Sequence, residues 1–126
     1  RGISRRMVRY REAGQELKMA LFKDEIHDFA SRVQQMVNKH FREQFPNLTP
    51  PTIIVKFGRK YAKIIKEQKG PRGAGQRSVY GFVDAHTGDI YKAASWRAPA
   101  KHIRGSIFAD DGGMSSCTPY GIVYLI

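Results

Sequence analysis

The first half of the chain has apolar residues at helical spacing. Between residues 17 and 45 they recur every three to four positions, as at Phe22, Ile26, Phe29 and Val33. This spacing places them on one face of an α-helix. Pro46 and the prolines that follow lack the amide that a continuing helix needs, so we predict one long helix that ends near Pro46.

The pattern changes to a period of two after these prolines. The strand candidates are TIIVKF (52–57), KYAKIIKEQ (60–68), RSVYGFV (77–83), DIYKAASW (89–96) and TPYGIVYLI (118–126). We expect Gly58-Arg59 to form a two-residue hairpin turn in which Gly58 has a positive φ, and Gly88 to take the left-handed position in a second hairpin. The sequence therefore predicts an α+β fold, with the helix packed on a small antiparallel sheet of about four to five strands.

A short helix is predicted after the second hairpin, in PAKHIR. Pro99 suits the first turn of such a helix and Gly105 suits its C-terminal end. Ile103 would pack this helix down and leave Arg104 facing outward. Trp96, just before it, is interpreted either as a core residue or as a platform on which a base stacks.

The chain divides into an arginine-rich arm (residues 1–16) and a single α+β domain (residues 17–126). The segment KGPRGAGQR (69–77) lacks the Lys-Ser/Thr ending of a phosphate-binding P-loop. It is either a mobile connection between hairpins or a basic flap that closes over a nucleic-acid backbone.

Charge indicates the class of partner. The 22 Lys and Arg against 11 Asp and Glu give a net charge of +11, and the pI is about 10.1. A domain this basic favours a nucleic-acid partner. No apolar run approaches a membrane span, and the N-terminus lacks a signal-peptide pattern, so we expect a soluble protein without membrane contact. The single cysteine, Cys117, leaves no internal disulfide or cysteine-based zinc site, and we expect no cofactor.

Most of the cations lie in or next to the predicted sheet. The candidate contacts are Arg5, Arg6, Arg9, Lys56, Lys60, Lys63, Lys66, Arg72, Arg77, Lys92, Trp96, Arg97, Lys101 and Arg104. Tyr61, Tyr80 and Tyr91 are candidates to lie among them. A basic sheet with aromatic rings is a recurring surface for single-stranded nucleic acid, because cations follow phosphates while rings stack on bases. The alternative is that the lysines are solvated and keep the sheet from aggregating.

Two histidines and two aspartates raise the question of catalysis. Asp84, His86 and Asp89 lie in or beside the second hairpin, and only His102 could join them in a metal site. Aspartate and threonine commonly accept bonds from local amides in such turns, which is our interpretation. A small metal-dependent nuclease is the alternative. We predict a non-catalytic protein that binds single-stranded DNA or RNA with little sequence specificity.

The stretch GFVDAHTGDIYKAASWRAPAKHIRGSIF (81–108) resembles small uncharacterised bacteriophage-encoded proteins, which share the same turn and the same Ala-Ser-Trp and Ala-Pro-Ala-Lys order. The resemblance covers about residues 79–108. It implies a viral protein of the host cytoplasm or the virion and brings no assigned activity. A virion structural or genome-associated role is a further alternative, with virion partners or a homodimer formed through the helix.

Overall fold

One long helix forms one layer of the protein. The structure is a computed structural model, which describes residues 22–70 and 75–123. Helix α1 spans Lys23–Gln44, and the Phe45 amide donates a hydrogen bond to the Phe41 carbonyl at its end. Its end before Pro46 confirms the predicted boundary. The arm (residues 1–16) and the predicted start of the helix lie outside the described residues.

A five-stranded antiparallel sheet forms the other layer. Its strands are β1 (Thr52–Phe57), β2 (Tyr61–Lys69), β3 (Gly75–Asp84), β4 (Asp89–Tyr91) and β5 (Gly105–Ser106), and neighbours in the chain are neighbours in the sheet. The α+β fold with one helix on an antiparallel sheet is therefore confirmed. The second hairpin has a shorter return strand than predicted, because β4 ends at Tyr91.

The core lies between α1 and one face of the sheet. Phe57, Ala62, Val83 and Ile90 form one cross-strand row through β1 to β4. This row meets the helix residues Ile26, Phe29, Val33 and Val37, which are fully buried. Burying side chains of this size stabilises a fold by about 1.5–3 kcal/mol each. The apolar stripe of the helix is thus used inside the protein.

The two tight turns differ in how they use glycine. Gly88 has a φ of 81°, as predicted for the β3–β4 hairpin. The prediction for the first hairpin was wrong, because Gly58 lacks a positive φ. Its amide instead donates to the Tyr61 carbonyl at 2.9 Å, so the turn itself consists of Arg59 and Lys60.

The C-terminal strand candidate forms a separate hairpin. After a 3₁₀ turn at Met114–Ser116, β6 (Cys117–Thr118) pairs with β7 (Gly121–Ile122) in a two-stranded sheet. This hairpin packs on the same side of β3 as α1, where a Cβ on Gly81 would come within 2.5 Å of Ile122. The close packing requires glycine at position 81. Residues 124–126 of the predicted C-terminal strand lie outside the described residues.

The predicted short helix in PAKHIR is wrong. Pro99 forms an isolated bridge with Ala93, and the Ala100 amide donates to the Lys92 carbonyl at 2.7 Å. His102 has a φ of 73°, which is not helical, and Gly105 begins β5 opposite Ile90. These backbone groups bond to the chain just after β4 and to β4 itself, so they do not form a helical turn.

Candidate functional site

The face of the sheet that points away from α1, called here the outer face, carries the candidate site. Lys56, Lys63, Phe82 and Tyr91 are cross-strand partners in one row through β1 to β4. Because side chains alternate along a strand, this row points opposite to the core row beside it. The pairing places two lysines directly against each other next to two aromatic rings.

The aromatic rings of the outer face contact one another. The ring centroid of Tyr61 lies 6.1 Å from that of Phe82 and 5.7 Å from that of Tyr91, with edge-to-face geometry in both pairs. Phe82 is buried, whereas both tyrosines are partly exposed. The tyrosines therefore present ring surface to solvent beside the buried Phe82 ring.

The loop 93–99 places Trp96 on the outer face. The Ser95 hydroxyl oxygen accepts bonds from the amides of Arg97 and Ala98, each at 3.2 Å. Such a serine turn constrains the loop tip. Trp96 is 43% exposed, so the interpretation of a core residue does not hold. The Lys63 Nζ lies over its indole ring, 4.2 Å from the ring centroid.

Desolvation and repulsion between neighbouring cations both act on Lys63 at the outer face. Desolvation lowers the pKa of Lys63, and the neighbouring charges of Lys56 and Arg97 lower it further. Within residues 22–70 and 75–123, none of these three cations has an acidic partner within 4 Å. Like charges placed directly opposite in a sheet destabilise it, and a bound anion relieves that cost.

The outer face is less positive at its end near the β3–β4 hairpin, where Asp84 and Asp89 lie. Burial raises the pKa of Tyr91, and so do Tyr61, Asp89 and Asp84, while Lys60 lowers it. Lys60 also lies over the Tyr61 ring at 5.3 Å. The cationic part of the outer face is thus the part around Lys63.

Two of the predicted cations lie on the other side of the sheet. Lys66 lies three residues after Lys63 on β2, so its side chain points to the opposite face of the sheet. Its Nζ donates to the Tyr120 carbonyl at 3.3 Å. The Lys92 Nζ donates to the Ile122 carbonyl at 2.9 Å. Both contact the C-terminal hairpin, so the fold does not bring them together with Lys63.

Two predicted arginines are engaged within the fold. Arg104 was expected to face outward, but its guanidinium donates to the carbonyls of Lys101, His102 and Val123 at 2.7–3.3 Å. This corrects its assignment as an outward contact. Arg77 pairs with its cross-strand partner Glu67 at 2.9 Å, which neutralises its charge.

The remaining predicted contacts are either exposed or undescribed. Lys101 is exposed in the segment that precedes β5. Arg5, Arg6, Arg9 and Arg72 lie outside the described residues, as does the centre of the predicted flap, residues 71–74. The described ends of the flap extend β2 and β3, because Lys69 pairs with Gly75.

Asp84 and its neighbours form turn structure. The Asp84 Oδ1 accepts bonds from the amides of His86 at 2.8 Å and Thr87 at 3.2 Å, and the Thr87 hydroxyl donates to Asp89. Within residues 22–70 and 75–123, no three His, Cys, Asp or Glu side chains are grouped as metal ligands would be. The predicted turn chemistry is present.

Sequence reasoning misplaced one aromatic residue and missed another. Tyr80 was expected among the cations, but it is buried on the helix side, and its hydroxyl donates to the Thr118 carbonyl at 2.6 Å. A β-bulge adds one residue to β3 opposite the Ile64–Ile65 step and reverses the alternation. Phe82, which was not singled out, takes the place beside Lys63. The glycine at 81 was the available signal of an irregular strand.

The fold and the outer face together define a small α+β protein whose sheet carries a helix on one side and a cationic, aromatic surface on the other. A family model matches residues 7–119, and the chain belongs to that family, a family of unknown function (DUF7717). No curated protein and no solved structure matches the chain. In the described part of the chain, no helix is long and apolar enough to cross a membrane.

Proposed function

We propose that this protein binds single-stranded DNA or RNA on the outer face, with little sequence specificity and without catalysis of its own. The observation that carries the proposal is the stack of Lys63 on Trp96 beside Lys56 and Arg97. Cations in this arrangement follow a phosphate backbone, and exposed rings at the same surface stack on bases. The net charge of +11 supports the same partner.

A single strand suits the outer face better than a duplex. The rings of Tyr61, Tyr91 and Trp96 reach solvent from the sheet and from one loop, and only unpaired bases can stack on such rings. A duplex would offer its phosphates to the cations while its bases stayed stacked on each other. The resemblance of residues 79–108 to bacteriophage-encoded proteins supports a site of action in the host cytoplasm or in the virion.

The test is the affinity for labelled single strands of about 12 nucleotides, a length within the site sizes of single-strand binders. We expect binding of both DNA and RNA strands, weaker binding of a duplex, and a loss of affinity between about 50 and 200 mM salt. Each neutralised phosphate contributes about −0.7 to the slope of log K against log salt. Affinity that does not change with salt, or no binding at low salt, would overturn the proposal.

A further inference from the structure

A small open cavity lies beside Trp96, between β3 and the loop 93–99. It has a volume of about 290 Å³ and is lined by Ser78, Val79, Ala93, Ala94, Ser95 and Trp96. The lining therefore combines one indole ring with small residues, among which Ser95 carries a hydroxyl group.

The pairing of the sheet explains why this space is unfilled. Residues 75–79 of β3 pair with β2 on one side, whereas β4 pairs with β3 only at Phe82 and Val83. Beyond Tyr91 the chain turns away into its own bridge between Ala93 and Pro99. The loop thus returns beside β3 without pairing with it, and alanines at 93 and 94 leave the gap open.

The indole is held in place from one side. Lys63 lies over one face of the ring, and the Ser95 turn constrains the loop that carries it. Trp96 nevertheless keeps 43% of its surface exposed. A ring that is already ordered loses little freedom when a ligand stacks on it, which favours binding.

We infer that this cavity is a subsite for one unpaired nucleobase, which stacks on Trp96 while its flanking phosphates lie near Lys63 and Arg97. The inference rests on the proposed function and names the group that the outer face recognises. A volume of about 290 Å³ is at the lower end of small-ligand pockets, which run from roughly 300 to 1,000 Å³. It has room for one planar ring system and excludes a base pair.

The Ser95 hydroxyl at the cavity explains a lack of sequence preference. A hydroxyl donates one hydrogen bond and accepts others. The Ser95 oxygen accepts two amide bonds and retains its proton as a donor. Each base has an acceptor that such a donor can meet, so the subsite accepts any of them.

Trp96 is the single tryptophan of the chain, so its emission reports on this subsite alone. The full chain is titrated with a thymidine strand of about 12 nucleotides, a uridine ribo-strand and an abasic strand of equal length, with anisotropy as a separate measure of binding. We expect both base-containing strands to quench the emission and the abasic strand to bind without quenching. The two sugar types distinguish DNA from RNA as the source of the base.

Two substitutions and one control variant complete the test. Trp96→Ala should weaken binding of the thymidine strand by about 5- to 140-fold, the range for loss of one stacked base, and leave binding of the abasic strand within about twofold. Ala94→Leu fills the cavity and leaves the indole in place. It should also weaken binding of the thymidine strand more than binding of the abasic strand. Trp96→Phe, which retains an aromatic ring, is the matched control and should recover most of the affinity.

The outcomes separate the two proposals. Binding of the thymidine strand without quenching, or an equal loss for both strands in Trp96→Ala and Ala94→Leu, overturns the subsite and leaves the proposed function standing. If neither strand binds to the unmodified chain at low salt, the proposed function fails, and the subsite fails with it.

Discussion

The Lys63 Nζ lies 4.2 Å from the centroid of the Trp96 indole ring, which joins the middle of β2 to a loop that follows β4. A cation over an indole contributes about 0.5–1 kcal/mol at an exposed site. The contact therefore orders the loop and keeps a positive charge on the outer face.

The two faces of the sheet should respond differently to loss of a lysine. Lys63→Gln removes a charge from the outer face and should lower the salt slope of single-strand binding by about 0.7, the value of one phosphate contact. Lys66→Gln removes a charge that contacts Tyr120 on the helix side, and should leave the slope unchanged. Anisotropy titrations at several salt concentrations measure both, with Lys39→Gln on the exposed helix surface as the control. Equal slopes for Lys63→Gln and Lys66→Gln would count against the outer face.

The arginines at 97 and 104 should show opposite effects. Arg104→Gln removes a guanidinium that serves three carbonyls, and should lower the free energy of unfolding by roughly 2–3 kcal/mol, since bonds from charged groups are the stronger ones. Arg97→Gln changes an exposed side chain and should change the stability by less than about 0.5 kcal/mol, while weakening single-strand binding. Urea unfolding and anisotropy distinguish them. A stable Arg104→Gln variant that binds poorly would restore Arg104 as a direct contact.

Asp84 should matter for stability and not for binding. Asp84→Ala leaves the amides of His86 and Thr87 without their acceptor in a largely buried turn, and should cost about 1–3 kcal/mol. Asp84→Asn keeps an oxygen at the same position and should cost less, while exposed Asp110→Ala should be neutral. The three variants are compared by urea unfolding and by single-strand affinity below the unfolding transition. Metal-dependent cleavage of the strand that Asp84→Ala abolishes would instead favour the nuclease alternative.

Stability should fall above about pH 9. Burial raises the pKa of the Cys117 thiol from 9.0 to about 11, and burial also raises the pKa of the Tyr80 hydroxyl. Between pH 9 and 11 the unfolded chain loses the thiol proton while the folded chain keeps it, so folding is disfavoured by up to about 1.4 kcal/mol per pH unit. Urea unfolding at about pH 8 and 10.5 should show a decline about 2 kcal/mol larger than that of Cys117→Ala. Identical declines would show that the thiol does not contribute.

The secondary structure was largely predictable because it depends on local patterns. The apolar spacing around Ile26 and Val33 and the prolines after Phe45 are sufficient for a helix and its end, and the change to a period of two is sufficient for β1 and β2. The PAKHIR segment was mispredicted because Pro99 and Gly105 satisfy the rules for helix ends, while their actual backbone partners are Ala93 and Ile90. Those partners are not visible from local sequence.

The sequence by itself determined the long helix and its end, the strands β1 to β3, the hairpin at Gly88 and the excess of positive charge. Only the tertiary structure decided which cations share a surface, because a strand alternates its side chains and the bulge before Gly81 reverses that alternation for Tyr80. Register places Lys56 opposite Lys63, and the return of the chain after β4 brings Trp96 to Lys63. Arg104 is engaged by carbonyls that include the distant Val123. Contacts between residues far apart in the chain depend on the packed fold, which local spacing does not encode.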